Sequence, residues 1–345
     1  MVPPIRPPRL KEGGTVAVIS PSWGGPHEFP KVYERGLSAL RSLGLEIKEM
    51  ASTRAPQRYL YEHPEARARD LRDAFLDPEV DGIVCSIGGD DSIRLLPFLE
   101  ARELVRHPKV LMGFSDNTAL LAYLAMAGLV TFYGPSVMAG LSQMEKYPRQ
   151  REHIGAVLFG APRTYEYSPF PAFSEGYPDW SNDALAGHVS RKKRHRGWKV
   201  LQGDGAVRGR LFGGCLEVLE MMKGTEFFPP KAFWKGRILF LETSEEKPTP
   251  GAVKCMLRNY GMQGAFEHLA GLIMGRPRDY SRNEKRHLAE NAKAVVAQEF
   301  GRPDLPVLMD LDFGHTDPQF LLPYNIKAEI DPSGPGFRLL ESPVR

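Results

Sequence analysis

Residues 110–121 read Val-Leu-Met-Gly-Phe-Ser115-Asp116-Asn117-Thr-Ala-Leu-Leu. The first five are apolar or Gly, as in a strand buried on both faces, and the last four resume an apolar pattern at helical spacing. Ser115 sits at the junction, and Asp116 is expected to cap the helix that begins there. A serine at such a turn is held off the strand ladder with its hydroxyl exposed. The free N–H groups of the helix start point the same way and favour negative charge. This is the arrangement of a nucleophile elbow, although GFSD lacks the second Gly of G-x-S-x-G. The competing reading is that Ser115 only caps the helix.

Short apolar runs lie on either side of this stretch. Residues 15–20 (TVAVIS), 45–50, 82–87 (GIVCSI) and 129–133 read as strands, with amphipathic helices at 33–43 and 65–75 and a further helix from Asp91. Apolar strands alternating with helices imply a parallel sheet with right-handed crossovers. This places an N-terminal α/β domain at 1–165. Residues 166–205 show no clear periodicity and read as a connecting or substrate loop, which includes the run Arg191-Lys192-Lys193-Arg194-His195-Arg196. Such a run is more often solvated surface than a nucleic-acid patch. From 206 to 345 a second domain follows, smaller and rich in β-structure, with strands at 237–241, 271–274, 307–310, 326–330 and 337–340. Helices are expected at 216–222, 251–260 and 283–300. The fold class is therefore α/β, with a parallel-sheet first domain and a smaller second one.

Composition narrows the function classes. The chain has 345 residues, with 45 Lys and Arg against 42 Asp and Glu. A net charge of +3 gives no reason to expect a nucleic-acid or membrane partner. Cys85, Cys215 and Cys255 form no CxxC pair, so neither a zinc site nor a disulfide framework is indicated. Cys85 and Cys255 lie in apolar patterns and are expected as reduced core thiols. No HExxH motif occurs, and no metal or cofactor is expected. The uncharged stretch 117–144 is broken by Gly128, Gly134 and Pro135, so it reads as a buried helix and strand rather than a membrane span. The N-terminus has prolines and charges where a signal peptide would be apolar. A cytoplasmic location is expected.

A serine nucleophile needs a base and a group to orient it. His315 follows the strand at 307–310 in Asp312-Phe313-Gly314-His315, a Gly-containing loop that could position an imidazole. Glu242 closes the strand RILFL, where an unpaired carboxylate would be costly. That favours it over Glu245 or Glu246, whose simpler reading is helix-start charge. Gly88 and Gly89 end the strand GIVCSI and permit close backbone approach with free N–H groups, as an oxyanion hole requires. All these features fall at the C-terminal ends of strands, where open α/β sheets bind ligands.

SPSWGG (20–25), SIGGDDS (86–92), GFSDNTALL (113–121), YGP (133–135), GRLFGGCLEVL (209–219), ILFLETSEE (238–246), GLIMGR (271–276) and LDFGHTDPQ (311–319) occur in one order. In this the chain resembles the LD-carboxypeptidase family of serine peptidases over nearly its whole length. SIGGDDS and the long insert carrying Tyr177-Pro178-Asp179-Trp180 and Gly197-Trp198 look closer to its microcin C immunity branch.

The resemblance implies a catalytic triad of Ser115, Glu242 and His315, with backbone N–H groups of Gly88 and Asp116 as oxyanion donors and the site between the two domains. It implies a homodimer acting on a small peptide or aminoacyl nucleotide, with Gly89 and Trp180 at the substrate. Trp180 is a stacking surface for a base in that reading and a structural loop residue otherwise. One departure is Cys215, which follows Gly213-Gly214 where the family often has Asn; it cannot replace an amide's two donors and acceptor. The implied activity is amide hydrolysis in aminoacyl or peptidyl nucleotides. Murein tetrapeptide cleavage in cell-wall recycling is the alternative, and a non-catalytic binding protein on the same fold is a third reading.

Overall fold

The computed structural model describes residues 3–334 and 336–345. Five strands in the first half alternate with helices: β1 (Thr15–Ile19), β2 (Glu46–Glu49), β3 (Gly82–Cys85), β4 (Val110–Gly113) and β5 (Phe132–Tyr133). Four further short strands follow, β6 (Tyr165–Tyr167), β7 (Ala172–Glu175), β8 (Lys193–Arg194) and β9 (Lys199–Gln202). Then come β10 (Val207–Cys215), β11 (Arg237–Glu242), β12 (Gly271–Gly275) and β13 (Val307–Leu311). The chain closes with β14 (Thr316–Asp317), β15 (Leu322–Pro323), β16 (Lys327–Asp331) and β17 (Gly336–Leu339).

The first sheet runs β15-β5-β4-β3-β1-β2, and all its pairings are parallel except the one between β5 and β15. The order 2-1-3-4-5 reverses direction between β1 and β3, and ligands of open α/β sheets bind at such a point. β3 and β4 are buried throughout, which explains their unbroken apolar sequence. Helix Pro30–Ser42 buries Val32, Tyr33, Leu37 and Leu40, and the last three stand at i, i+4 and i+7 on one face. The second sheet runs β6-β17-β16-β10-β11-β12-β13-β9, with β10 to β13 parallel at its centre. A third, three-stranded sheet runs β14-β7-β8. The expected fold class is the one the structure has.

Several local expectations differ. Asp116 does not cap a helix. Residues Ser115–Asn117 form a 3₁₀ turn, the α-helix starts at Thr118, and the Asp116 carboxylate turns inward to accept the Ser92 N–H at 2.7 Å. The helix expected from Asp91 is a 3₁₀ segment, Ser92–Phe98, because Pro97 lacks the N–H that an α-helix would need there. Residues 166–205 are not featureless. They hold β7, β8 and β9, and strands of two to four residues are too short for alternation to show. Cys255 is exposed rather than in the core. Its helix, Pro250–Met262, buries Val253, Leu257 and Tyr260, a stripe on which residue 255 does not fall. Cys85 is buried as expected. Residues 117–144 contain a nine-residue helix and the two-residue β5, and no helix among the described residues is long and apolar enough to cross a membrane.

Candidate active site

β4 delivers Ser115 to the edge of the first sheet, and the sharp turn puts this residue at φ 60°, a left-handed conformation that non-glycine residues seldom adopt. Strain of this kind collects at functional sites, and here it lifts the side chain clear of the ladder. β11 ends in Glu242, and the loop between β13 and β14 carries His315. The three meet although Ser115 and His315 lie 200 residues apart. Ser115 Oγ is 3.0 Å from His315 Nε2, and His315 Nδ1 is 2.7 Å from Glu242 Oε2. The three residues are buried. The geometry suits transfer of a proton from the serine hydroxyl to Nε2.

Gly88 lies against this centre. A Cβ built on it would stand 2.9 Å from Ser115 Cβ, 3.0 Å from Ser115 Oγ and 3.5 Å from the Asp116 nitrogen, so only glycine lets the backbone come this near. Gly89, at φ 149°, continues the turn along the cleft. Behind the turn a buried Arg67 guanidinium grips Asp91 with two hydrogen bonds of 2.7 and 3.0 Å and donates to the Pro21 carbonyl at 2.9 Å. That clamp ties the loop after β3 to the loop after β1.

Two residues that the sequence reading did not place at the site belong to it. The buried Tyr133 hydroxyl accepts the Ser115 N–H at 3.1 Å and donates to Glu242 Oε1 at 2.5 Å. One hydroxyl thus joins the serine turn to the carboxylate of the other sheet. Burial, then the negative charge of Glu242, push the phenol well above its ordinary range, so it stays a neutral donor. Its only sequence signal was its place in YGP at the end of a strand. Glu245 stands on the far side of the imidazole, with Oε2 2.8 Å from His315 Nε2, the same nitrogen that faces Ser115. It is not helix-start charge, since the next helix begins at Pro250. Burial opposes charge on His315, but the charge and hydrogen bond of Glu242, then those of Glu245, raise its imidazole to about 10. Burial likewise works against the Glu245 carboxylate, but the His315 contact holds it down at about 2.

A cleft of about 510 Å³ opens over Ser115 and His315. Gly88 and Gly89 line it from the first domain, and Trp180 reaches it from the stretch between β7 and β8. Trp180 stacks on Trp23, with ring centroids 6.4 Å apart and planes 15° from parallel, and meets Phe29 edge-on at 5.8 Å. Asp90, Glu245, Glu246 and Arg278 supply the cleft's other charges. Cys215 does not border the cleft. It is buried, its N–H donates to Thr118 Oγ1 at 3.0 Å, and its sulfur faces Glu217 Oε2 at 3.6 Å.

Comparison with known proteins identifies the family. The signature of the LD-carboxypeptidase N-terminal domain matches residues 16–134, and that of the LD-carboxypeptidase C-terminal domain matches residues 208–330. The microcin C7 self-immunity protein MccF of Escherichia coli is 27% identical over 326 residues, covering 93% of this chain and 92% of that protein. A Streptomyces coelicolor protein that carries the carboxypeptidase name is 30% identical over 334 residues, covering 95% and 93%. A Bacillus subtilis protein named a probable murein peptide carboxypeptidase is 27% identical, covering 94% and 91%. Among solved structures, an MccF-like protein of Streptococcus pneumoniae in complex with AMP superposes with a TM-score of 0.84 at 29% identity, covering 95% of this chain and 98% of that one. The chain belongs to the LD-carboxypeptidase family and is a hydrolase of serine carboxypeptidase type.

Proposed function

We propose that the chain hydrolyses an amide bond in aminoacyl- or peptidyl-nucleotide compounds of the microcin C kind, and so serves in self-immunity or detoxification. Ser115 is the nucleophile, His315 the general base, and Glu242 holds the imidazole with Nε2 toward the serine. The Gly88 and Asp116 N–H groups receive the oxyanion as the carbonyl becomes tetrahedral, and His315 then protonates the leaving amine. Water completes deacylation by the same route.

The observation that carries the reading is the pairing of that relay with an aromatic shelf. Trp180 stacked on Trp23 at the rim of the Ser115 cleft offers a nucleobase a flat face, and base–aromatic stacking contributes about 1–3 kcal/mol. The AMP complex of the Streptococcus pneumoniae relative supports a nucleotide in this fold. In the cleft, Arg278 is the cation suited to an anionic linkage next to the nucleoside.

The test is a product assay at several pH values with wild type and Ser115→Ala. An aminoacyl sulfamoyl adenosine and an L,D-linked murein tetrapeptide are offered side by side. Cleavage of the nucleotide alone, lost in Ser115→Ala and weakened in Trp180→Ala, is the expected outcome. Cleavage of the tetrapeptide alone assigns the chain to cell-wall recycling and removes the role given to Trp180.

A further inference from the structure

A second cavity lies apart from the triad cleft. It measures about 950 Å³, and none of its lining residues is shared with that cleft. Six cationic side chains line it. Lys193 and Arg194 come from β8, Arg196 from the turn after it, Lys199 from β9, Arg276 from the residue following β12, and Lys285 from helix Arg282–Lys293. Three carboxylates answer them. Glu175 is shared by Lys193 and Lys285, Asp310 pairs with Lys199 at 2.7 Å, and Asp312 pairs with Arg276. Arg194 and Arg196 form no ion pair among the described residues.

In a chain of net charge +3, this concentration is not a by-product of a basic surface. Cations gathered from separate segments into one concavity repel each other. The field there is focused by the low-dielectric walls, which favours a multivalent anion. The two unpaired groups are both guanidiniums, whose planar forks match phosphate oxygens in pairs. Arg194 is held in register by the pairing of β8 with β7, opposite Ala172, so it is presented from a strand. The Arg276 guanidinium lies 4.0 Å over the Phe173 ring at the cavity wall, and its pair with Asp312 fixes it there.

We propose that this cavity is a second ligand site, which binds a small, multiply charged phosphate compound such as pyrophosphate or the polyphosphate of a nucleotide. The cations converge on one open concavity from separate segments, which suits a compact anion better than a strand of RNA, which needs a groove that tracks its backbone. The proposal stands apart from the substrate assigned to the triad.

Isothermal titration of the full chain with inorganic pyrophosphate tests it, in wild type, Ser115→Ala and the double variant Arg194→Ala/Arg196→Ala. Both arginines are exposed, so the double variant should retain the fold, and circular dichroism checks that it does. The expected result is one saturable site per chain, unchanged in Ser115→Ala, weakened at least about tenfold in the double variant and weakened by added salt. A single-stranded oligoribonucleotide is titrated in parallel. The proposal is overturned by any of three results: no saturable pyrophosphate binding, binding indifferent to the arginine pair, or binding of the oligoribonucleotide with none of pyrophosphate.

Discussion

Replacing Glu245 by Gln tests how His315 is held before substrate arrives. In the structure the Nε2 position faces both Ser115 Oγ at 3.0 Å and Glu245 Oε2 at 2.8 Å. A proton on that nitrogen satisfies the carboxylate, and an imidazole so protonated cannot take the serine's proton. At 2.8 Å the attraction between unit charges is about 1.5 kcal/mol at the dielectric of water and about 6 kcal/mol at an effective value of 20. The Glu245 side chain is 52% exposed, so screening puts the contribution near the lower figure. One pH unit corresponds to about 1.4 kcal/mol, so Glu245→Gln should lower the His315 pKa by about one unit. The sign follows from the base being active only when neutral. In wild type, kcat/KM should climb with pH through neutrality toward the alkaline range, because the imidazole is raised to about 10. In Glu245→Gln the climb should start about one unit lower, leaving the variant about tenfold faster on the acid limb and equal on the plateau. The pH profile of kcat/KM and an NMR titration of the His315 ring both read this. A limb that stays in place or moves upward would refute the view that Glu245 keeps the proton on His315. Under that view, Glu245 is displaced as substrate fills the cleft, and the base is released where it is needed.

Tyr133→Phe removes the hydroxyl shared by Ser115 N–H and Glu242 Oε1 and leaves both buried groups unpaired. It should cost about 1–3 kcal/mol in calorimetric stability and lower kcat more than it changes KM. Gly88→Ala places a methyl 2.9 Å from Ser115 Cβ, so turnover should fall by about 100-fold or more with the fold intact by circular dichroism. His153, buried, accepts the Leu321 N–H at Nε2 and is paired with Tyr165 through Nδ1, so its neutral form is the one the fold needs. Burial lowers its pKa to about 3 against about 6.5 in the unfolded chain. The unfolded state therefore takes up the proton first. The stabilisation is complete above about pH 6.5 and is lost as pH falls toward 3, by up to about 1.4 kcal/mol per unit. Urea unfolding from pH 7 to 4.5 should show that slope in wild type, and His153→Phe should flatten it.

The alternation of apolar runs with helices was legible because β3 and β4 are buried on both faces and carry no polar residue that would blur the pattern. Ser115, Glu242 and His315 stood out for a related reason, since each is a reactive side chain placed where an apolar strand stops. What stayed hidden depends on contacts between distant parts of the chain. Tyr133 reads as the last residue of a strand, and only the meeting of two sheets gives its hydroxyl two partners. Glu245 is three residues from Glu242, yet which carboxylate faces which imidazole nitrogen is fixed by the turn after β11. Asp116 looked like a cap because Asp is favoured at helix starts, but the demand of the buried Ser92 N–H prevailed over that local preference. Arg191 to Arg196 read as solvated surface because sequence shows a run of charge and not the concavity into which β9 and helix Arg282–Lys293 bring Lys199 and Lys285.

The relay is assembled across two sheets, which would leave its distances exposed to any relative motion of the two halves. The chain meets this by exchanging backbone. β15, a few residues beyond His315, leaves the second half to pair with β5, opposite Phe132 and Tyr133. The His315 loop is therefore fixed at its start by β13 in one sheet and at its end by β15 in the other. Asn325 then donates from its side chain to the carbonyls of Ala125 and Leu129, and the Tyr324 N–H reaches the Thr131 carbonyl at 2.9 Å. Thr118, three residues after Ser115, accepts the Cys215 N–H from the end of β10. Each of these bonds is worth only about 0.5–1.5 kcal/mol, but they act on the same few residues from both directions. The serine turn and the histidine loop are consequently parts of one hydrogen-bonded unit.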